Sequence, residues 1–155
     1  KRCKLNYTVQ INSIEVRMFV IPIFIEAGIT GFESPAAEYT ELGISLDEII
    51  IKHPNATFIG LASGESMQDV GIFDGDLLVV DRAENVSTGD VIVASYNGTF
   101  VCKIIDKTNR LLISASKNYQ SVYISENDDF KLEGVVTSSI RLHKNKAELS
   151  RCLPS

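Results

Sequence analysis

Asp90-Val91-Ile92-Val93-Ala94-Ser95-Tyr96-Asn97-Gly98-Thr99-Phe100-Val101-Cys102-Lys103-Ile104-Ile105-Asp106 is the stretch on which the fold turns. Two β-rich runs, Asp90–Tyr96 and Thr99–Asp106, flank Asn97-Gly98. A two-residue type I′ turn needs positive φ at both central positions, and Asn-Gly supplies that at the lowest cost, so the stretch predicts a β-hairpin. Working outward, Thr57–Ala62, Asp76–Asp81, Arg110–Ser114, Ser121–Ser125 and Phe130–Leu142 read as further short strands separated by Gly, Asn and Asp. No strand–helix–strand alternation appears, which excludes Rossmann and P-loop architectures. The expectation is a mainly β fold, a compact and strongly curved β body.

Ahead of the strands, Ser45-Leu46-Asp47-Glu48 is a capping box, with Ile44 and Ile49 at the staple positions. Pro54 forces His53 out of helical geometry, so one short helix over 46–52 is expected. Residues 32–44, with Ser34-Pro35 and Gly43, read as a linker, and residues 1–30 as an extended arm with flexible points at Gly28 and Gly31.

The chain has 155 residues, 45% of them apolar, and a net charge of −5, which suits one domain with a real core plus extended chain. Residues 1–17 and 141–155 each carry a net +3, which leaves −11 on residues 18–140. An acidic body is repelled by phosphate, so no direct specific DNA binding is expected of it, and the basic ends read as solvated tails. The longest apolar run, Met18–Ile25, is broken by Pro22 and falls short of the ~20 residues a membrane-spanning helix needs. Lys1, Arg2 and Lys4 precede that run, but polar Asn6, Thr8, Gln10, Asn12 and Glu15 intervene and no A-x-A site follows, which argues against a signal peptide. Cys3, Cys102 and Cys152 form neither a disulfide framework nor a metal spacing, and a reducing cytoplasm is the expected compartment. His53 and His143 lack a ligand pattern, so neither metal nor cofactor is expected.

Two side chains stand out as chemistry. Ser66 follows Gly64 just beyond a predicted strand, although Gln68 stands where a G-x-S-x-G elbow has its second glycine. Taken alone, Ser66 also reads as an ordinary turn serine. His53 is one conceivable base for it, but no Asp or Glu is obviously placed to orient the ring, and the helix-then-proline context reads as a surface histidine. Lys103 is the other. It lies mid-strand with Val101 and Ile105 on its own face, while Phe100, Cys102 and Ile104 fill the opposite face. Burial penalises an ammonium and lowers its pKa from ~10.4, which raises the neutral fraction able to take a proton from a serine hydroxyl. The alternative is a lysine that snorkels outward from an edge strand.

The order of several short motifs decides between these readings. Thr30-Gly31-Phe32, Ser34-Pro35-Ala36-Ala37, His53-Pro54-Asn55-Ala56-Thr57, Ser63-Gly64-Glu65-Ser66-Met67, Asp74-Gly75-Asp76-Leu77-Leu78-Val79-Val80-Asp81, Gly89-Asp90 and Gly134-Val135-Val136 occur in sequence. From about Pro22 to Ser138 the chain resembles the UmuD-type SOS mutagenesis proteins, within the LexA-like Ser–Lys self-cleaving peptidases. The resemblance implies a fold of the LexA/UmuD C-terminal peptidase type. It implies Ser66 as nucleophile, Lys103 as general base, the backbone amides of Glu65 and Ser66 as oxyanion hole, and Thr30-Gly31 as the bond cut.

Residues 1–30 are then an arm removed by self-cleavage, 31–53 a linker and short helix, 54–143 the peptidase domain and 144–155 a tail. The resemblance further implies a cytoplasmic homodimer, activation by RecA on single-stranded DNA, and assembly of the trimmed form with a UmuC-type polymerase for translesion synthesis. Where the family carries Cys or Ala before the scissile glycine, this chain carries the β-branched Thr30. Two other readings accompany this one: a fragment of a LexA-like transcriptional repressor, and a noncatalytic interaction subunit.

Overall fold

The computed structural model describes residues 45–143. The arm, most of the linker and the tail lie outside the described residues.

The capping box forms as the sequence predicts. Ser45 Oγ accepts from the Glu48 amide at 3.2 Å, and Glu48 returns the bond to the Ser45 amide at 2.8 Å. The helix it starts, α1 (Leu46–Ile50), is two residues shorter than expected.

From Ile51 onward the chain forms one seven-stranded antiparallel sheet: β1 (Thr57–Leu61), β2 (Leu77–Asp81), β3 (Val91–Tyr96), β4 (Thr99–Asp106), β5 (Leu111–Ile113), β6 (Val122–Tyr123) and β7 (Phe130–Ile140). Their order across the sheet is β1-β2-β7-β3-β4-β5-β6. The β3–β4 hairpin turns at Asn97 (φ 48°) and Gly98 (φ 80°), the two positive values that the Asn-Gly pair predicts. The expected strands are all present, most of them trimmed by a residue or two at their ends.

Side chains alternate between two apolar clusters, as the two-residue period of a strand demands. Val91, Val93, Cys102 and Ile104 join Leu78, Val80, Ala62 and Met67 in one cluster. Ile92, Ala94, Val101 and Ile105 join Leu112, Ile124 and Val135 in the other. The alternation read along β4 is therefore correct for four of its residues. Phe100 departs from it: this side chain is 71% exposed rather than packed with Cys102 and Ile104. It is the second residue beyond the hairpin turn, past the end of the cluster.

Strand β7 pairs on both edges, with β2 and with β3, and its register slips once against each. Thr137 is the extra residue opposite Val79 and Val80, and Glu133 the extra residue opposite Val93 and Ala94. Such bulges bend a strand and raise its twist, which gives the sheet its curvature. At Gly134, between them, an added Cβ would lie 2.7 Å from the Asp81 carbonyl oxygen and 2.8 Å from Val80 Cγ1. Only glycine allows β7 to come this close to β2. Gly134→Ala is expected to destabilise the fold by about 1–3 kcal/mol, the usual range for overpacking. A lowered urea midpoint with an unchanged slope would report it.

Candidate active site

Ser66 lies in the loop that joins β1 to β2. The loop is closed at its base by two backbone bonds, Ala62 amide to Asp76 carbonyl and Gly75 amide to Ala62 carbonyl, each 2.8 Å. Gly64 turns the chain at φ +88°, a region costly for any other residue. Its amide donates to Asp74 Oδ1 at 2.8 Å. Met67, only 3% exposed, anchors the loop in the core immediately after Ser66. A 3-10 turn, Gln68–Val70, follows, and the Asp69 amide ties it to the Ala115 carbonyl at 2.8 Å.

The far side of the loop is held by a buried ion pair. Asp76 is 1% exposed and receives Arg141 at 2.9 and 2.7 Å, while a further guanidinium bond reaches the Gly71 carbonyl at 2.9 Å. The guanidinium also lies 4.0 Å from the centre of the Phe73 ring. Charge-assisted bonds of this kind are short and directional, so the loop is clamped from both ends. The sequence places Arg141 in a basic end region and carries no local sign of this role.

Lys103 stands on β4, opposite Ile92 of β3. Strand β5 covers β4 only from Ile104 onward, and what opposes the snorkelling alternative is the side chain's own direction, toward Ser66. The Lys103 Nζ donates to Ser66 Oγ at 2.6 Å, a contact spanning 37 residues of chain. Burial pushes the ammonium below its ordinary 10.5, with the Cys102 thiol acting weakly the other way. The same burial pushes the Cys102 thiol up to about 11. The Tyr119 ring lies 5.8 Å from Nζ, another neighbour that sequence reading did not single out. No described residue accepts from the backbone amides of Glu65 or Ser66.

Beside this pair a cavity of about 150 Å³ is lined by Ser63, Gly64, Ser66, Met67 and Lys103 among others. A second, more apolar cavity of about 370 Å³ shares several of its walls and extends along Phe58, Leu61, Leu78 and Phe100. Together they form a cleft with a polar end at Ser66 and an apolar flank. Thr30 and Gly31 lie outside the described residues.

His53 is not part of this cleft, and the expectation that no carboxylate orients its ring is overturned, while the side chain remains 38% exposed. Its Nδ1 lies 2.6 Å from Oδ2 of Asp81, which is 1% exposed. The pair sits beside Thr57 and Asp81, at the opposite end of the β1–β2 ladder from Ser66. Five residues of strand at about 3.3 Å each put roughly 15 Å between the two places. His53 therefore cannot serve Ser66. In the sequence Asp81 reads only as the end of a strand, and nothing local to either residue signals the pairing.

Residues 22–137 match the Peptidase S24-like family. The chain is 39% identical over 127 residues to protein SamA of Salmonella typhimurium, covering 81% of this chain and 87% of SamA. It is 36% identical over 129 residues to protein MucA of Escherichia coli, covering 82% and 88%. It is also 32% identical over 109 residues to a LexA repressor of Pseudoalteromonas atlantica, covering 68% of this chain and 52% of the repressor. On this match and this fold, the chain belongs to the Peptidase S24-like family. The UmuD-type resemblance read from the sequence is borne out. Among the described residues no helix is long and apolar enough to cross a membrane.

A lysine whose pKa is lowered by folding binds fewer protons in the native than in the unfolded state between its two pKa values. Its burial thus weakens the fold at neutral pH, and that penalty fades as pH rises through the native pKa toward 10.5. Two measurements check this. The Lys103 side chain, titrated by NMR through its Cε shift, is expected to show a midpoint below 10.5. Lys103→Met is expected to raise the urea midpoint at pH 7, with the gain shrinking in alkaline buffer.

Proposed function

We propose that the protein is a self-cleaving serine peptidase in which Ser66 is the nucleophile, Lys103 the general base and Thr30-Gly31 the bond cut. The observation that carries this reading is the 2.6 Å contact between Lys103 Nζ and Ser66 Oγ beside an open cleft. In the reactive state the amine is neutral and the bond reverses, Oγ–H donating to Nζ. Burial favours that state by disfavouring the ammonium.

The step proceeds as follows. Nζ takes the hydroxyl proton while Oγ attacks the Thr30 carbonyl carbon. The amides of Glu65 and Ser66, to which no described residue is hydrogen-bonded, are the proposed donors to the developing oxyanion. The Lys103 ammonium then gives its proton to the Gly31 nitrogen, and the C–N bond breaks. A water, deprotonated by Lys103, hydrolyses the resulting ester and restores Ser66. Tethering the arm to its own enzyme replaces a bimolecular encounter with a high effective concentration. The apolar flank of the cleft is chemically suited to the arm, which carries Phe24, Ile25, Ile29 and Phe32 close to the bond.

In this reading residues 1–30 are released, 31–53 link and 54–143 form the peptidase domain, with 144–155 as a tail. The trimmed chain acts as a homodimeric cytoplasmic subunit of a UmuC-type translesion polymerase, and a RecA–single-stranded DNA filament prompts the cut. The near-complete coverage of SamA and MucA supports this role over the alternative of a LexA-like repressor fragment, since only about half of the repressor is matched. A noncatalytic subunit is the remaining alternative, and it rests on Thr30 standing before the glycine.

Intact mass after alkaline incubation tests the chemistry. Products matching 1–30 and 31–155 are expected from the parent chain and from neither Ser66→Ala nor Lys103→Ala. Cleavage surviving in either variant overturns the dyad. No cleavage in the parent, with or without RecA filaments, favours the noncatalytic subunit.

A further inference from the structure

The His53–Asp81 pair has a third member. One ligand atom from each of His53, Asp81 and Glu84 lies within 4.8 Å of the others, one imidazole nitrogen and two carboxylate oxygens. They come from three places: the segment ahead of β1, the last residue of β2 and the turn after it. The proposed peptidase chemistry uses none of them.

Local geometry holds the donors in place. Asp81 is nearly inaccessible, and its Oδ1 accepts from the Ala83 amide at 2.8 Å, which aims Oδ2 at His53. Thr57 Oγ1 donates to the His53 carbonyl at 2.8 Å and steadies the histidine backbone. Outer contacts of this type orient ligands in metal sites. The other face is open, because the side chains of His53 and Glu84 are 38% and 31% exposed, leaving room for an ion to enter and for water to complete its shell.

We propose that His53, Asp81 and Glu84 form a site for a divalent transition-metal ion of the Zn²⁺ type. Imidazole together with carboxylate suits such an ion better than Mg²⁺ or Ca²⁺, which take oxygen ligands. At Zn–N and Zn–O distances of about 2.0–2.2 Å, tetrahedral ligand atoms stand roughly 3.3 Å apart. The 2.6 Å contact between His53 and Asp81 therefore opens by less than an ångström on binding, and Glu84 swings inward. Lys52 now holds Glu84 at 3.1 Å, and this largely exposed ammonium is the group the ion displaces. The bound ion would staple the segment ahead of β1 to the end of β2.

The test uses the 155-residue chain carrying Ser66→Ala, which cannot cut itself by the proposed route, with Cys3 and Cys152 changed to Ser to remove competing thiols. Titration with ZnCl₂ alone, followed by equilibrium dialysis and metal analysis, is expected to give one ion per chain. His53→Ala and Glu84→Gln are each expected to weaken binding at least tenfold, in variants whose circular dichroism shows them folded. Lys52→Met is expected to tighten it. No stoichiometric binding, or binding that survives His53→Ala and Glu84→Gln together, overturns the site. Because the dyad is disabled throughout, this result is independent of whether the chain cleaves itself.

Discussion

Strand β7 is hydrogen-bonded on both edges, to β2 and to β3, and the rest of the sheet depends on that double pairing. Without it, β1–β2 would be an isolated two-stranded ribbon, marginal in water, separated from the four strands β3–β6. With it, the loop carrying Ser66 and the hairpin carrying Lys103 belong to one curved surface. The constraint reaches the atomic level at Gly134, where the backbones of β7 and β2 approach within the space of a single methyl group. Two bulges absorb the curvature nearby. The residue extruded at one of them, Glu133, is nearly buried yet paired with Lys131 at 2.7 Å and Arg82 at 3.4 Å.

On this surface the fold holds charge under apolar cover in two ways. Asp76 and Arg141 satisfy each other, and the result is rigidity: the Ser66 loop is clamped by a partner 65 residues away. Among the described residues Lys103 has no carboxylate hydrogen-bond partner; it has a neutral hydroxyl, a thiol beside it and an aromatic ring whose centre is 5.8 Å away. The first arrangement stabilises its ions; the second leaves a cation under-compensated. An under-compensated ammonium is a liability for folding and an asset for proton transfer, because what raises its energy is what makes its neutral form accessible.

The two ends of the β1–β2 ladder carry different polar clusters. One end places a serine hydroxyl and a lysine side chain beside a cleft. The other presents a nearly buried carboxylate with an imidazole against it and a second carboxylate close by. Asp81 sits below the usual carboxylate range. Burial pushes its pKa up, but the His53 contact and the Ala83 amide outweigh that and hold it ionised.

Local signals were legible in the chain itself. The capping box, the Asn-Gly hairpin and every strand follow from propensity and period, because these depend on neighbours a few residues apart. Ser66 and Lys103 could be named as candidates from their types and settings, yet each alone also read as ordinary, and only the ordered motifs around them favoured a joint role. What tertiary structure decided are the pairings between distant residues: Lys103 with Ser66, Arg141 with Asp76, His53 with Asp81. The same holds for the β7 bulges and for Phe100, left exposed past the edge of the core. None has a local sign, because no short-range preference records which residues sheet topology will bring together. That choice is made by strand order and register, which minimise exposed apolar surface over the whole sheet at once.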